Sequence, residues 1–138
     1  MADPAPETNT FDLRRFPIHL GLGATSIPQP EHTGDMEWYG GYGERNMSDG
    51  IEGRLVTMST FTQPWDVWEM HPKGTELVIV TDGVMTIHQE KDGQVITTDL
   101  AIGDVAINQP GVWHTVDAEA PVTVVFVTAG AGTEHRPR

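Results

Sequence analysis

Four side chains of metal-ligand type, Glu69, His71, Glu76 and His114, stand where extended chain can bring them together. In the run DVWEMH, Glu69 and His71 are two residues apart, so on a strand they project from one face, with Val67 beside them. A Pro72-Lys73-Gly74 turn follows, and the next apolar run opens on Glu76, whose alternation sets Val78 and Val80 on the same inner side. His114 comes after the Pro110-Gly111 turn in another apolar segment. The chain has no cysteine, which excludes disulfides, thiolate sites and cysteine nucleophiles and leaves nitrogen and oxygen as the metal donors. Imidazole with carboxylate suits one divalent transition metal, iron, manganese, nickel, cobalt or zinc. Two carboxylates facing one small, partly dry cavity repel, so one must take a proton or both must share a cation. The plainer reading pairs Glu69 with Lys73, gives Glu76 backbone donors and leaves both histidines as neutral core residues.

The elements that must position these groups are short strands. RLVTMSTF (Arg54 to Phe61), DVWEM (Asp66 to Met70), ELVIV (Glu76 to Val80), VMTIHQ (Val84 to Gln89), QVITTDL (Gln94 to Leu100), DVAIN (Asp104 to Asn108), WHTV (Trp113 to Val116) and VTVVFV (Val122 to Val127) are rich in β-branched and aromatic residues. Gln63-Pro64, Pro72-Lys73-Gly74, Asp82-Gly83, Asp92-Gly93, Gly103-Asp104 and Pro110-Gly111 separate them with turn chemistry. Strands this short and this regularly spaced predict a sandwich or barrel, with no helix of useful length. Earlier in the chain, Pro17, Gly21, Gly23, Pro28 and Pro30 break the apolar pattern into short strand or extended arm, and Asp35 to Asn46 reads as a strand followed by a loop. Ala2 to Thr10 and His135 to Arg138 have little to bury and are expected to be loose.

The run from Glu69 to Glu76 followed by Gly83 resembles the first motif of the cupin superfamily, with Glu69 where the family usually carries its first histidine. Gly103, Pro110, Gly111 and His114 resemble the second motif. The resemblance covers about Gly53 to Val127 and implies an all-β fold, the cupin double-stranded β-helix or jelly-roll barrel. It implies a barrel over residues 53–130, a flexible N-terminal arm over 1–16, a strand extension over 17–52 at a dimer interface, and a flexible tail over 131–138. His71, Glu76 and His114 carry over as ligands, and Glu69 by position with a changed atom type. The chain departs from the family at Gln63 for a leading glycine, at the displaced Pro110 and at Ala118 for a final asparagine. The implied function is a metal-dependent enzyme on a small organic molecule, oxygenase-like chemistry favoured over isomerase, lyase or cyclase chemistry. Glu69 would be a fourth ligand or a catalytic general base. The alternative is a non-catalytic small-molecule-binding cupin with a structural metal or none. Phe11, Leu13, Phe16, Ile18 and Leu20 in the N-terminal region favour a homodimer, a common arrangement in the family.

Composition narrows the partners. With 138 residues, 38% of them apolar, the chain suits one domain with one modest core. Twenty acidic residues against 8 basic ones give a formal charge of −12, which repels nucleic acid and anionic membrane surfaces. No apolar run approaches the roughly 20 residues that span a bilayer, and Met1 to Thr10 lacks a secretion-signal pattern, so a cytoplasmic location is expected. His88 lies off the face of Met85 and Ile87 and should point outward, and His19, His32 and His135 are read as surface or interface residues. Trp113 should face away from the metal, and Trp65 and Trp68 have opposite strand parity unless a bulge follows Pro64. Gly40-Gly41-Tyr42-Gly43 lacks the context of a phosphate cradle, and Ser26, Ser48 and Ser59 lack that of a nucleophile.

Overall fold

The apolar alternation beyond Gly53 folds into strands that match those runs to within two residues at either end. A computed structural model describes residues 2–138. In chain order it has β1 (Ile18–Gly21), β2 (Thr25–Pro28), α1 (Met36–Arg45), a 3-10 helix (Met47–Asp49), β3 (Arg54–Phe61), β4 (Val67–Met70), β5 (Glu76–Asp82), β6 (Met85–Lys91), β7 (Gln94–Leu100), β8 (Val105–Asn108), β9 (His114–Asp117), β10 (Val122–Thr128) and β11 (Glu134–Pro137). A six-stranded sheet has the order β2-β1-β3-β10-β5-β8 and a five-stranded sheet the order β11-β4-β9-β6-β7, all pairs antiparallel. Val78, Val80, Ile87, Val116, Val122 and Val124, each at most 1% exposed, form the centre of the core between the sheets. Burying each such side chain is worth about 1.5–3 kcal/mol. Among the described residues, no helix is long and apolar enough to cross a membrane.

Three stretches differ from expectation. Residues 36–45 are helix α1, where a strand and loop were expected. Asp35 caps its N-terminus by accepting from the Trp38 backbone at 2.8 Å, and Trp38 stacks on Tyr42 one turn later. Three glycines weaken this helix by about 1 kcal/mol each relative to alanine. Tertiary packing of Trp38, 7% exposed, overrides that deficit. The C-terminal segment, expected to be loose, forms β11, paired with β4 from Glu134↔Met70 to Pro137↔Val67. Arg136 packs over the Trp68 and Trp113 rings and pairs with Glu90, which holds the segment in place. In the N-terminal arm, Met1 lies outside the described residues, while Asp3 is tied to Arg15 at 2.8 Å and Phe16 is buried.

Candidate metal centre

Cross-strand partners share a face of a sheet, so the register writes side chains into rows. In the five-stranded sheet one row runs His135, Glu69, His114, Gln89 across β11, β4, β9 and β6. In the six-stranded sheet Thr128, Glu76 and Asn108 form a row across β10, β5 and β8. Gln89 Nε2 donates to Asn108 Oδ1 at 2.7 Å and joins the two rows. The same inner faces continue as Ile87 beside Val116, and as Phe126, Val78 and Ala106, all buried. The polar rows are thus one layer set against the apolar core. His71 joins them from the turn after β4.

Glu69, His71, Glu76 and His114 each offer one ligand atom to a cluster in which these atoms lie within 4.8 Å of one another. His71 Nε2 is 3.1 Å from both Glu69 Oε1 and Glu76 Oε2, and His114 Nε2 is 3.4 Å from Glu69 Oε1 and 3.2 Å from Glu76 Oε1. Neither Nε2 makes a hydrogen bond, although both are buried. Leaving such an atom unpaired costs about 1–3 kcal/mol. The opposite nitrogens are committed. Thr133 Oγ1 donates to the Gly130 carbonyl at 2.8 Å, so towards His71 Nδ1, 2.7 Å away, it can only accept. His114 Nδ1 faces the Val112 carbonyl at 3.3 Å. Both rings therefore carry the Nδ1 proton when neutral and present Nε2 lone pairs to the cluster. Glu76 is fixed by Asn108 Nδ2 on Oε1 at 3.0 Å and by the Thr128 hydroxyl on Oε2 at 2.7 Å.

The charges fit a divalent cation. Burial alone would push the His71 and His114 imidazoles down, but the Glu69 and Glu76 carboxylates beside them outweigh it and hold both at about 9 without metal. Burial would raise the two carboxyls, but the His114 and His71 imidazoles hold both below the usual carboxylate range. Two anionic oxygens and two ring nitrogens converging on one point form a donor set that can hold iron, manganese, nickel, cobalt or zinc.

The plainer pairing is not the one formed. Glu69 lies near His71, His114 and His135, not Lys73, and Glu76 takes side-chain donors, not backbone ones. His88 is outward as expected, bonded to Thr97 and Asp117, and Trp113 packs on Arg136. Trp65 turns inward, its ring 6.3 Å from that of His114. His19, expected at the surface or an interface, is 1% exposed within the single chain, held between Tyr42 at 2.7 Å and Asp49 at 2.6 Å. His135 is exposed, in keeping with a surface or interface residue, and donates from Nε2 to Glu69 Oε2 at 2.8 Å. Tyr39 on α1 is near enough to feel the cluster: burial, then the Glu69 and Glu76 charges, push its phenol up. Parity could have found Gln89 and Asn108, two residues beyond inward Ile87 and Ala106. Nothing in the sequence marks Thr133 or His135, because only the pairing of β11 with β4 brings them in.

No family model matches the chain, and no curated protein sequence does. Among solved structures, a Klebsiella pneumoniae protein with a double-stranded β-helix domain is 27% identical, with 62% of this chain and 76% of that chain covered and a TM-score of 0.50. A cupin-2 domain protein of Shewanella frigidimarina is 22% identical, with 62% and 71% covered and a TM-score of 0.45. The hydroquinone 1,2-dioxygenase of a Sphingomonas species, solved with 4-hydroxybenzoate bound, is 15% identical, with 53% of this chain covered and a TM-score of 0.45. This chain spans 57% of the length of that dioxygenase chain. With two antiparallel sheets enclosing the core and the double-stranded β-helix protein as a structural neighbour, the chain has the cupin-type double-stranded β-helix fold.

Proposed function

We propose that this chain is a metal-dependent cupin enzyme acting on a small organic molecule, with Glu69, His71, Glu76 and His114 as ligands to one divalent transition metal. The observation that carries the reading is the pair of buried Nε2 atoms without hydrogen bonds, aimed at two carboxylates while each Nδ1 is committed elsewhere. A cation there pairs both nitrogens and takes over from the imidazole protons the neutralisation of the two carboxylates. Bound metal supplies Lewis-acid polarisation of a substrate oxygen, and electron exchange if it is redox-active. Two imidazoles and one carboxylate form the donor set of non-haem iron oxygenases, which favours oxygenase-like chemistry, and Glu69 adds a second carboxylate.

The chain's own groups divide the remaining work. His71, Glu76 and His114 are buried and fixed, whereas the Glu69 side chain, 22% exposed, forms the corner of the cluster nearest solvent. An open depression of about 510 Å³ is lined by residues 61–67, among them Trp65, whose ring centroid lies 6.3 Å from that of His114; none of the four candidate ligands lines it. Elemental analysis of protein purified without chelator tests the reading. His71→Ala and His114→Ala should each abolish stoichiometric metal, and metal retained in both would defeat it. Glu69→Gln separates ligand from base: lost metal makes Glu69 a ligand, and retained metal with a shifted pH–rate profile makes it the general base.

Four protein donors can also close a tetrahedral shell, the geometry of a structural metal in a binding module. The visible spectrum of the Co²⁺ form distinguishes the two, because a higher-coordinate ion leaves a position for substrate. A homodimer is part of the same proposal, though Phe16 is buried within the single chain and Phe11, Leu13, Ile18 and Leu20 are partly covered there. Val95, Ile96, Val105 and Ile107, exposed on β7 and β8, are part of the apolar area available to a second copy. A monodisperse monomer in sedimentation at micromolar concentration would count against it.

A further inference from the structure

Two side chains of the segment that ends in β11 touch the candidate ligands, and each touches a different one. Thr133 Oγ1 lies 2.7 Å from His71 Nδ1, and His135 Nε2 lies 2.8 Å from Glu69 Oε2. The other two ligands are positioned from within the barrel, Glu76 by Asn108 and Thr128 and His114 by the Val112 carbonyl. From this division we infer that Thr133 and His135 are positioning residues of the metal centre, the first fixing the tautomer and ring angle of His71, the second turning Glu69 Oε1 inward by occupying Oε2. The inference rests on the metal-centre reading above.

The geometry is directional in both cases. Because the Thr133 hydroxyl spends its proton on the Gly130 carbonyl at 2.8 Å, it faces His71 as an acceptor, and the ring must keep its proton on Nδ1. His135 is the direct cross-strand partner of Glu69, so the β11–β4 register sets both imidazole and carboxylate on one face. A carboxylate tied through one oxygen has its other oxygen directed, and here that oxygen sits 3.1 and 3.4 Å from the two Nε2 atoms. Anchoring of the segment is separate from this contact. Arg136, on the opposite face of β11, holds the strand through Trp68, Trp113 and Glu90 and touches none of the four ligands. The Arg136 contacts can therefore be removed without removing the Thr133 or the His135 side chain from the ligands.

The test is Co²⁺ binding by the full chain, read as affinity by chelator competition and as the visible spectrum of the bound ion. Thr133→Val keeps shape and removes the acceptor; His135→Leu removes the donor. Each should weaken Co²⁺ by about 10- to 100-fold, the usual cost of losing a partner behind a ligand, and should alter the spectrum. Thr133→Ser and His135→Gln keep the acceptor and the donor and should retain affinity and spectrum. Arg136→Ala should lower the melting temperature while leaving the spectrum unchanged. Wild-type affinity and spectrum in both Thr133→Val and His135→Leu would overturn the inference and leave the metal centre standing. Equal loss in Arg136→Ala would reduce the effect to strand docking and overturn it too. Folded wild-type protein that takes up no Co²⁺ would end the metal-centre reading itself, and this inference with it.

Discussion

Each imidazole of the cluster has one nitrogen committed and one left over, and the leftover pair faces two carboxylates. In the metal-free protein burial opposes protonation, but Glu69 and Glu76 prevail and keep both rings charged up to a pH of about 9. A cation must displace those protons, so metal uptake at pH 7 should release protons, and affinity should fall as pH falls. Calorimetric titration in two buffers of different ionisation enthalpy measures the release; buffer-independent heats would contradict it. The same groups set the stability of the metal-free form. Their folded values stand above the unfolded value of 6.5, so the stabilisation is fully present below pH 6.5 and is lost as pH rises through about 9. Urea denaturation of metal-free protein across that window should show the decline, and the loaded protein should not.

At the scale of elements, the turn between β4 and β5 carries the site, and Gly74 is its tightest point. A Cβ on Gly74 would lie 2.6 Å from the Ala129 Cβ, so the turn bearing His71 and leading to Glu76 must shift. Gly74→Ala should therefore lower metal affinity, and Gly74→Ala with Ala129→Gly, which removes the opposing methyl, should restore it. An unrescued double variant would mean that backbone freedom and not this contact matters. The strands from β3 to β10 were legible because their apolar residues alternate, and alternation also set Glu69 with His71 and Glu76 with Val78. Helix α1 was not legible because Gly40, Gly41 and Gly43 mask the spacing of Trp38 and Tyr42. The strand β11, Glu134–Pro137, carries no apolar alternation at all. Its pairing is imposed by β4 and by Arg136 over two tryptophans, partners far away in the chain. His135 was therefore invisible for a physical reason: a polar edge strand takes its register from its neighbour.

For the whole molecule, a charge of −12 on 138 residues makes the compact state self-repelling, and two of its few cations, Arg136 and Arg138, tie the C-terminal segment to the barrel. Arg138 donates to Asp117 Oδ1 at 2.6 Å and to the Trp65 carbonyl at 3.0 Å, while His88 holds the other Asp117 oxygen at 2.6 Å. This clasp ties the segment after β11 to β6 and β9. Arg138 first, helped by His88 against the effect of burial, holds the Asp117 carboxyl at about 2, below its ordinary 3.8. A depressed carboxyl stabilises the fold fully above its unfolded value and loses that contribution as pH falls through the folded one. Wild type and Asp117→Asn should therefore differ by a constant stability at neutral pH, and the difference should shrink between pH 3.8 and about 2. The pair is partly exposed, so the neutral-pH difference should also narrow in high salt. Denaturant melts of both proteins across that range decide it: a difference that persists undiminished at pH 2 would show that Asp117 acts through shape and not through charge.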